Sequence, residues 1–300
     1  MSECVKCYPH PAHSPGKCEY CNCKGPVRPF IKAVGGKRSS LPFILPKLQA
    51  ASDDGNYYEP FLGGGAVFFA LAPRRAHLND TNVRLMDAYM GVKHDVDTVI
   101  KLLKEMPYDE AFFMKVRQEI NVGGSGSSAL DAAQFIYLNK TCFNGLWRVN
   151  KQGKFNVPFG DYTNPTICDE EGLRSASEAL QRTFMGSQDF DKALRTAQKG
   201  DRVYLDPPYT PVSKTANFTG YTKDGFSFED QKRLSVCVAD VAKRSALVVL
   251  SSADTPETRA LYTKKFYNLE EVKVSRAINS DPKKRGKVGE LLITPKKGMF

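Results

Sequence analysis

The chain has 300 residues, 41% hydrophobic and 25% charged, which is enough apolar matter for one large domain or two moderate ones. Its 43 Lys and Arg against 33 Asp and Glu leave a formal net charge of +10, suited to a polyanionic partner because each phosphate neutralised releases condensed counterions. No run of ~18 apolar residues marks a membrane span, and the opening MSECVKCYPH lacks the apolar stretch of a secretory leader, so a cytoplasmic location with reduced thiols is expected.

Residues 1–27 are rich in Cys, Pro, His and Lys, and too poor in aliphatics to build a core unaided. Five of the eight cysteines fall in the first 23 residues. Cys4 and Cys7 form one Cys-x-x-Cys knuckle and Cys18 and Cys21 a second, a spacing that suits a tetrahedral structural zinc ion. Cys23 is an alternative fourth thiolate, and His10 and His13 are weaker ones. A closed metal site would supply the folding energy that so polar a segment lacks. Lys6, Lys17, Lys24 and Arg28 flank it and offer further contact to phosphates.

The next segment, IKAVGGKRSSLPFILPKL, contains two glycines followed by Lys37. It lacks the spacing of a nucleotide-hydrolysing phosphate loop. Lys37 is placed to neutralise a carboxylate, a solvated lysine being the plain alternative. YYEPFLGGGAVFFALA reads as a short strand, a glycine turn and the start of a buried helix. AHLNDTNVRLMDAYMGV reads as a second strand ending near Asn79 and Asp80, then a helix that Asp80 would cap. Between about 95 and 185 the pattern turns helical (VDTVIKLLKEM), is broken by the loop NVGGSGSS, and continues as FIYLNKTCFNGLWRVNKQGKFNVPFGDY, read as short extended pieces joined by turns. Alternating elements then resume. DRVYLDPPY is a strand running into a stiff turn, SALVVLSS is a strand buried on both faces, and ELLITP is a last strand.

This order predicts an α/β open sheet carrying an inserted module, with ligands beyond the carboxyl ends of the strands. Glu59–Gly65, Asn79–Asp80 and Asp206–Tyr209 all fall at such ends. In Asp206-Pro207-Pro208-Tyr209 the prolines fix the backbone. The Asp206 carboxylate and the Pro207 carbonyl would together accept both hydrogens of an amino group, which frees the nitrogen lone pair for attack. Tyr209 offers a flat face to an extruded base. The alternative is a rigid strand-terminating turn. The Glu59-Pro60-Phe61-Leu62-Gly63-Gly64-Gly65 run lets backbone approach a ligand closely, but it is not the dinucleotide fingerprint.

Taken in order, KAVGGK, EPFLGGG, LND, NKTCFNGLWRVNKQGKFNVPFG and DPPY resemble the Dam-type DNA adenine-N6 methyltransferases over about residues 30–293, and SRAINSDPKKRGKVGELLI resembles that family's closing segment. The resemblance implies a Rossmann-like S-adenosylmethionine-dependent methyltransferase sheet with an inserted helical and hairpin DNA-recognition module. The small zinc-binding segment lies outside the family core. The implied division is 1–27 zinc segment, 28–94 first catalytic part, 95–185 recognition module and 186–300 second catalytic part. The implied reaction moves a methyl group from S-adenosylmethionine to a flipped adenine in double-stranded DNA, in the cytoplasm on the nucleoid.

By that resemblance Asp206, Pro207 and Tyr209 hold the adenine. Glu59 opens the cofactor motif, Phe61 stacks on the cofactor's adenine ring, Gly63 and Gly65 line its methionyl portion, and Asp80 binds its ribose. Lys37 sits near both cofactor and Asp206. Phe143 wedges into the duplex and Asn144 fills the gap left by the flipped base. Arg148 reads a guanine, its two-donor fork matching O6 and N7. Lys32 is a further guanine contact, and Leu146 and Pro158 pack against a thymine methyl, a set that implies GATC. Two positions depart from the family's pattern. Ala33-Val34 stands where Trp-Ala is usual, and Asp161 stands where an Arg often follows the hairpin. The residues taken singly also allow a non-catalytic zinc-bearing DNA-binding protein on the same scaffold, or an RNA adenine methyltransferase. Trp147 reads as hairpin core, and Arg148 alternatively as a phosphate contact.

Overall fold

A computed structural model of the protein describes residues 27–33, 35–123, 128–209, 225–275 and 287–300. Cys4, Cys7, Cys18 and Cys21 lie outside the described residues. Among the described residues one sheet is built from β1 (Tyr57–Glu59), β2 (Ala76–Asn79), β3 (Thr183–Gly186), β4 (Arg202–Leu205), β5 (Leu247–Ala253), β6 (Tyr267–Ser275) and β7 (Lys287–Pro295). The seven strands lie in the order β3-β2-β1-β4-β5-β7-β6. β3, β2, β1, β4 and β5 are parallel, and β7 runs antiparallel between β5 and β6. Tyr57 lies in register with both Ala76 and Arg202, so the chain order reverses on either side of β1. Such a reversal opens a crevice at the carboxyl ends of β1 and β4, where open α/β sheets bind ligands. This is the Rossmann-like sheet that the sequence led us to expect.

The central strands β1, β4 and β5 are buried on both faces because helices cover both. They are α1 (Leu41–Gln49), α2 (Ala66–Leu71), α3 (Val83–His94), α4 (Val96–Glu105), α5 (Glu110–Val122), α6 (Ser128–Thr141), α7 (Glu170–Leu180), α8 (Phe190–Ala193), α9 (Phe228–Lys243) and α10 (Pro256–Leu261). Alternate strand residues feed two cores, following the period of two. Tyr57, Tyr204 and Val249 join a core with residues of α1 to α7, while Tyr58, Val203, Leu205, Val248 and Leu250 join one with α9. No helix among the described residues is long and apolar enough to cross a membrane.

Three local readings change. Asp80 does not cap α3: Asn82 does, its Oδ1 accepting from Leu85 N at 3.2 Å. Asp80 is left to bind other groups. The segment read as extended from Phe135 is helical as far as Thr141. α6 is buried on nearly every side, from Ala132 to Asn139, so no apolar stripe betrays its period. Only beyond it does the chain extend, with antiparallel bridges Cys142–Phe159 and Val149–Phe155. Finally β3 begins at Thr183, so the edge of the sheet crosses the 185/186 division expected between module and second catalytic part.

Candidate active site

The crevice is built from three strand ends. After β1 the chain turns through glycines. Gly63 has φ +49°, and a Cβ there would meet nothing within 4 Å, so its outer face is open to a ligand. Gly65, φ +67°, turns the chain into α2, and a Cβ there would come within 2.9 Å of the Tyr89 hydroxyl. The turn is tied down on both sides. Gly63 N donates to Asp80 Oδ2 at 3.0 Å, and the Tyr89 hydroxyl donates to the Gly63 carbonyl at 3.2 Å. Asp80 Oδ1 accepts from Asn82 N at 2.9 Å. Burial raises the Asp80 carboxyl to about 6, against these two amides. Such a carboxylate, at the carboxyl end of β2, suits a hydroxyl donor.

Asn79 locks the neighbouring strand ends together. Its Nδ2 donates to the Pro60 carbonyl (3.2 Å) and the Gln188 carbonyl (2.8 Å), while its Oδ1 accepts from Gln188 N (3.0 Å). Phe61 is half-buried against Phe190 and Phe226, at ring separations of 5.6 and 5.7 Å. Glu59 differs from its neighbours. Its carboxyl turns inward, accepts from the Tyr57 hydroxyl at 2.7 Å and receives the Phe68 amide. Burial pushes it up to about 8, with Asp206 and Asp80 adding to the rise. These contacts tie the end of β1 to the start of α2.

Asp206 follows β4 directly. Pro208's carbonyl accepts from Gln231 Nε2 at 3.2 Å, which fixes the turn to α9. Lys37, 8% exposed, lies 2.8 Å from Asp206 Oδ1 and 3.1 Å from Glu290 Oε1. Lys37 Nζ also donates to the Tyr209 hydroxyl at 3.1 Å, and that hydroxyl donates to Glu290 Oε1. Ser40 Oγ donates to Glu290 Oε2 at 2.8 Å. Burial pushes Asp206 up to about 6; Lys37 opposes the rise and Glu290 adds to it. Burial penalises the charged Lys37, but the two carboxylates outweigh it and hold the ammonium protonated. Burial likewise opposes a charged Glu290, yet Lys37, Tyr209 and Ser40 bring it below its ordinary value. The solvated-lysine reading of Lys37 is therefore set aside. Glu290 escaped the sequence reading. The one available signal was an acid opening the otherwise apolar ELLITP.

The remaining candidates cluster on the module. Phe143 is 48% exposed. Asn144 stands beside it with φ +55°. Arg148, also exposed, donates from Nε to Asn156 Oδ1 at 2.9 Å. Pro158 is exposed, and its carbonyl accepts from Phe143 N at 3.0 Å. Leu146 is half-buried against the core, and Trp147 stacks on Phe135 at 4.0 Å, the core role expected for it. Asp161 is exposed beyond the hairpin. Lys32 is far away in sequence but close in space. The buried Asn139 side chain accepts from Lys32 N (2.7 Å) and donates to the carbonyls of Lys32 (2.8 Å) and Gly145 (3.2 Å). Lys32 Nζ donates to the Lys140 carbonyl at 3.3 Å and lies 4.3 Å from the centre of the Tyr162 ring. Burial lowers both Lys32 and Lys140, and for Lys140 the neighbouring Lys32 charge adds to it. Two crowded cations beside the half-buried Tyr162 ring favour a polyanion.

No group of three or more His, Cys, Asp or Glu among the described residues is arranged to hold a metal ion. A family model described as D12 class N6 adenine-specific DNA methyltransferase matches residues 34–278. The chain is 39% identical over 274 residues to the type II methyltransferase M1.LlaDCHI of Lactococcus lactis subsp. cremoris, covering 89% of this chain and 95% of that one. It is 39% identical over 286 residues to the type II methyltransferase M.MjaIII of Methanocaldococcus jannaschii, covering 89% and 98%. Its identity to the DNA adenine methylase of Escherichia coli is 36% over 279 residues, covering 91% and 96%.

Proposed function

The chain belongs to the D12 class N6 adenine-specific DNA methyltransferases, and on that premise we propose that it transfers methyl groups from S-adenosylmethionine to adenine N6 within GATC in duplex DNA. The observation that carries this reading is the meeting of Asp206 and Tyr209 at the end of β4 with the open glycine turn and Asp80 at the ends of β1 and β2. S-adenosylmethionine, when bound, supplies an electrophilic methyl group on a sulfonium. Gly63 and Gly65 fit its methionyl chain, since a side chain at Gly63 would occupy the open face. Asp80 fits its ribose hydroxyls and Phe61 its adenine ring. Glu59 supports that turn from below.

The substrate adenine enters from the other side. The Asp206 carboxylate and the Pro207 carbonyl accept its amino hydrogens, and Tyr209 stacks on its ring. This draws the nitrogen lone pair out of conjugation with the ring and aims it at the methyl group. Orientation and the negative carboxylate supply most of the rate. The nitrogen loses its extra proton after the methyl has moved, so Asp206 need not be a strong base.

Phe143 and Asn144 take the place of the extruded base, and Arg148, Lys32, Leu146 and Pro158 read its neighbours. The GATC target rests on that set and on the likeness to DNA adenine methylases. Residues 95–185 act as the recognition module between the catalytic parts 28–94 and 186–300. Cys4, Cys7, Cys18 and Cys21 hold a structural zinc ion, for which four thiolates are the fitting donor set. The enzyme works in the cytoplasm on the nucleoid.

The test is labelled-methyl transfer from S-adenosylmethionine into two duplexes that differ only in one GATC site, with Asp206→Ala alongside. Transfer only into the GATC duplex, lost in the variant, is expected. Transfer into both duplexes would keep the chemistry and overturn the target, pointing at Asp161 as the source of altered reading.

A further inference from the structure

One half-buried and one buried carboxylate, Asp206 and Glu290, share one ammonium at the end of β4. Lys37 lies 2.8 Å from Asp206 and 3.1 Å from Glu290, and no second cation pairs with either acid among the described residues. Glu290 is 4% exposed, and among the described residues its side-chain hydrogen bonds and ion pair all go to this site: Lys37 and the Tyr209 hydroxyl at Oε1, the Ser40 hydroxyl at Oε2. It arrives from β7, beside Ala253 of β5 and Val272 of β6, in a stretch of strand whose next three residues are fully buried and apolar. A carboxylate costs too much there to be mere filling.

We infer that Glu290 is a positioning residue for methyl transfer: it draws Lys37 partly off Asp206 and pins the Tyr209 ring by its hydroxyl, leaving the site with one net negative charge. This rests on the reading of Asp206 and Tyr209 as the adenine-holding pair. With Lys37 alone beside it, Asp206 would be half of a closed ion pair, its lone pairs turned to the ammonium and its charge neutralised. With Glu290 present, the three groups carry one negative charge in sum. That charge faces the amino nitrogen as the nitrogen turns cationic during attack. The reward is electrostatic and is realised in the transition state. The same contact sets the ring plane on which the base stacks, because a tyrosine held at its hydroxyl keeps little freedom about its side-chain bonds.

The groups facing Asp206 are Lys37 before α1, Glu290 on β7, Glu59 on β1, Tyr204 on β4 and Tyr209. Only Lys37 among them is cationic. Glu290→Gln keeps the shape and an acceptor for Ser40 or Tyr209, but leaves Lys37 wholly to Asp206. The acid limb of the rate profile must then move to lower pH, because Asp206 loses an anionic neighbour. A purely structural role would leave that limb where it is.

The experiment measures single-turnover methylation of a duplex carrying the enzyme's own target, from pH 5 to 8, at saturating S-adenosylmethionine, for the parent, Glu290→Gln and Glu290→Asp. Cofactor affinity is measured by calorimetry. The expected result for Glu290→Gln is a rate lower by about 10- to 100-fold at pH 7.5, the scale of losing one aligned electrostatic contact. Its acid limb moves to lower pH, and its cofactor affinity stays within about threefold. Glu290→Asp retains the charge and shortens the reach, so its limb stays in place while its rate falls less. A Glu290→Gln rate within twofold of the parent would overturn the inference, and so would a slower rate with an unmoved limb. Should Glu290→Gln fail to fold, Glu290→Asp decides by its rate at pH 7.5: a fall of more than about twofold with cofactor affinity unchanged supports the inference, and a rate within about twofold of the parent overturns it. A parent whose activity survives Asp206→Ala would instead sink the underlying reading of Asp206.

Discussion

Lowering the pH should switch this enzyme off by protonating one identifiable carboxyl. Asp206 is held up at about 6 by burial, with Lys37 opposing and Glu290 reinforcing the rise. In the proposed mechanism the carboxylate, and not the acid, accepts the hydrogens of the adenine amino group, so activity belongs to the ionised form. The ionised fraction is about nine-tenths at pH 7 and about one-tenth at pH 5, and each further unit costs about tenfold, or ~1.4 kcal/mol. Asp80 is also raised to about 6, but its protonation weakens cofactor binding and is masked when the cofactor saturates. The assay is therefore single-turnover methyl transfer at saturating S-adenosylmethionine and enzyme, from pH 8 down to 4.5, on one target duplex. The rate should be flat above pH 7 and fall with unit slope below 6. At subsaturating cofactor the fall should be steeper, since Asp80 then titrates in view. A rate that stays flat down to pH 5 would refute the assignment of the reacting form, and with it the role of Asp206 as the acceptor.

Three further outcomes follow from the geometry. Asn139→Ala removes the three hydrogen bonds that hold Lys32 and Gly145 together; it should cost about 2–3 kcal/mol in urea unfolding and lower the kcat/KM ratio between target and one-base-changed duplexes about tenfold, while cofactor affinity measured by calorimetry stays put. Glu59, raised from 4.5 to about 8, binds its proton more tightly folded than unfolded, so it makes stability fall as pH rises through that window; Glu59→Gln, which still accepts from Tyr57, should remove roughly 3–5 kcal/mol of that fall, seen as a flatter stability profile between pH 5 and 9. The Cys4, Cys7, Cys18 and Cys21 thiolates should bring about one zinc ion per chain, measured by elemental analysis and lost in Cys4→Ser/Cys7→Ser, and its loss should weaken DNA binding most at low salt.

How much of this the sequence disclosed depends on how local each feature is. The strand ends were legible because Asp206-Pro207-Pro208-Tyr209 and the glycine run each carry their chemistry within seven residues or fewer. The expected cluster of Lys37, Asp206 and Tyr209 is met in space. Glu290 was not legible: its partners Ser40 and Lys37 lie some 250 residues earlier, and nothing in ELLITP records a contact across the sheet. α6 was misread from Phe135 onward because a helix buried on all sides loses its periodicity. β3 is four residues long, with one of them exposed and only one buried, and so offers no alternation to read. Asn79 and Asn139 have no role in the sequence reading, yet each spends its side-chain amide on fixing backbone that carries a candidate site residue.

The placement of Asn139 bears on how reading and chemistry are joined. Lys32 is gripped by the recognition module, and Lys37, five residues on, is gripped by Asp206 and Glu290. The backbone between them passes Gly35, whose φ of +75° a side chain would strain. It also passes Ala33, whose Cβ is so close to Gly64 that a Cβ there would come within 2.9 Å. On the proposed roles, this short segment connects the base-reading Lys32, the cofactor turn at Gly64 and the ammonium of Lys37. On those same roles, a displacement of Lys32 by a mismatched base would bear first on Asn139 and on the close approach of Ala33 to Gly64. Two hydrogen bonds with the buried Asn139 hold the Lys32 backbone, and a third holds that of Gly145. Discrimination between targets should accordingly show in kcat as well as in binding, and a module swap that loses the Asn139 contact would preserve affinity for DNA while uncoupling it from the rate.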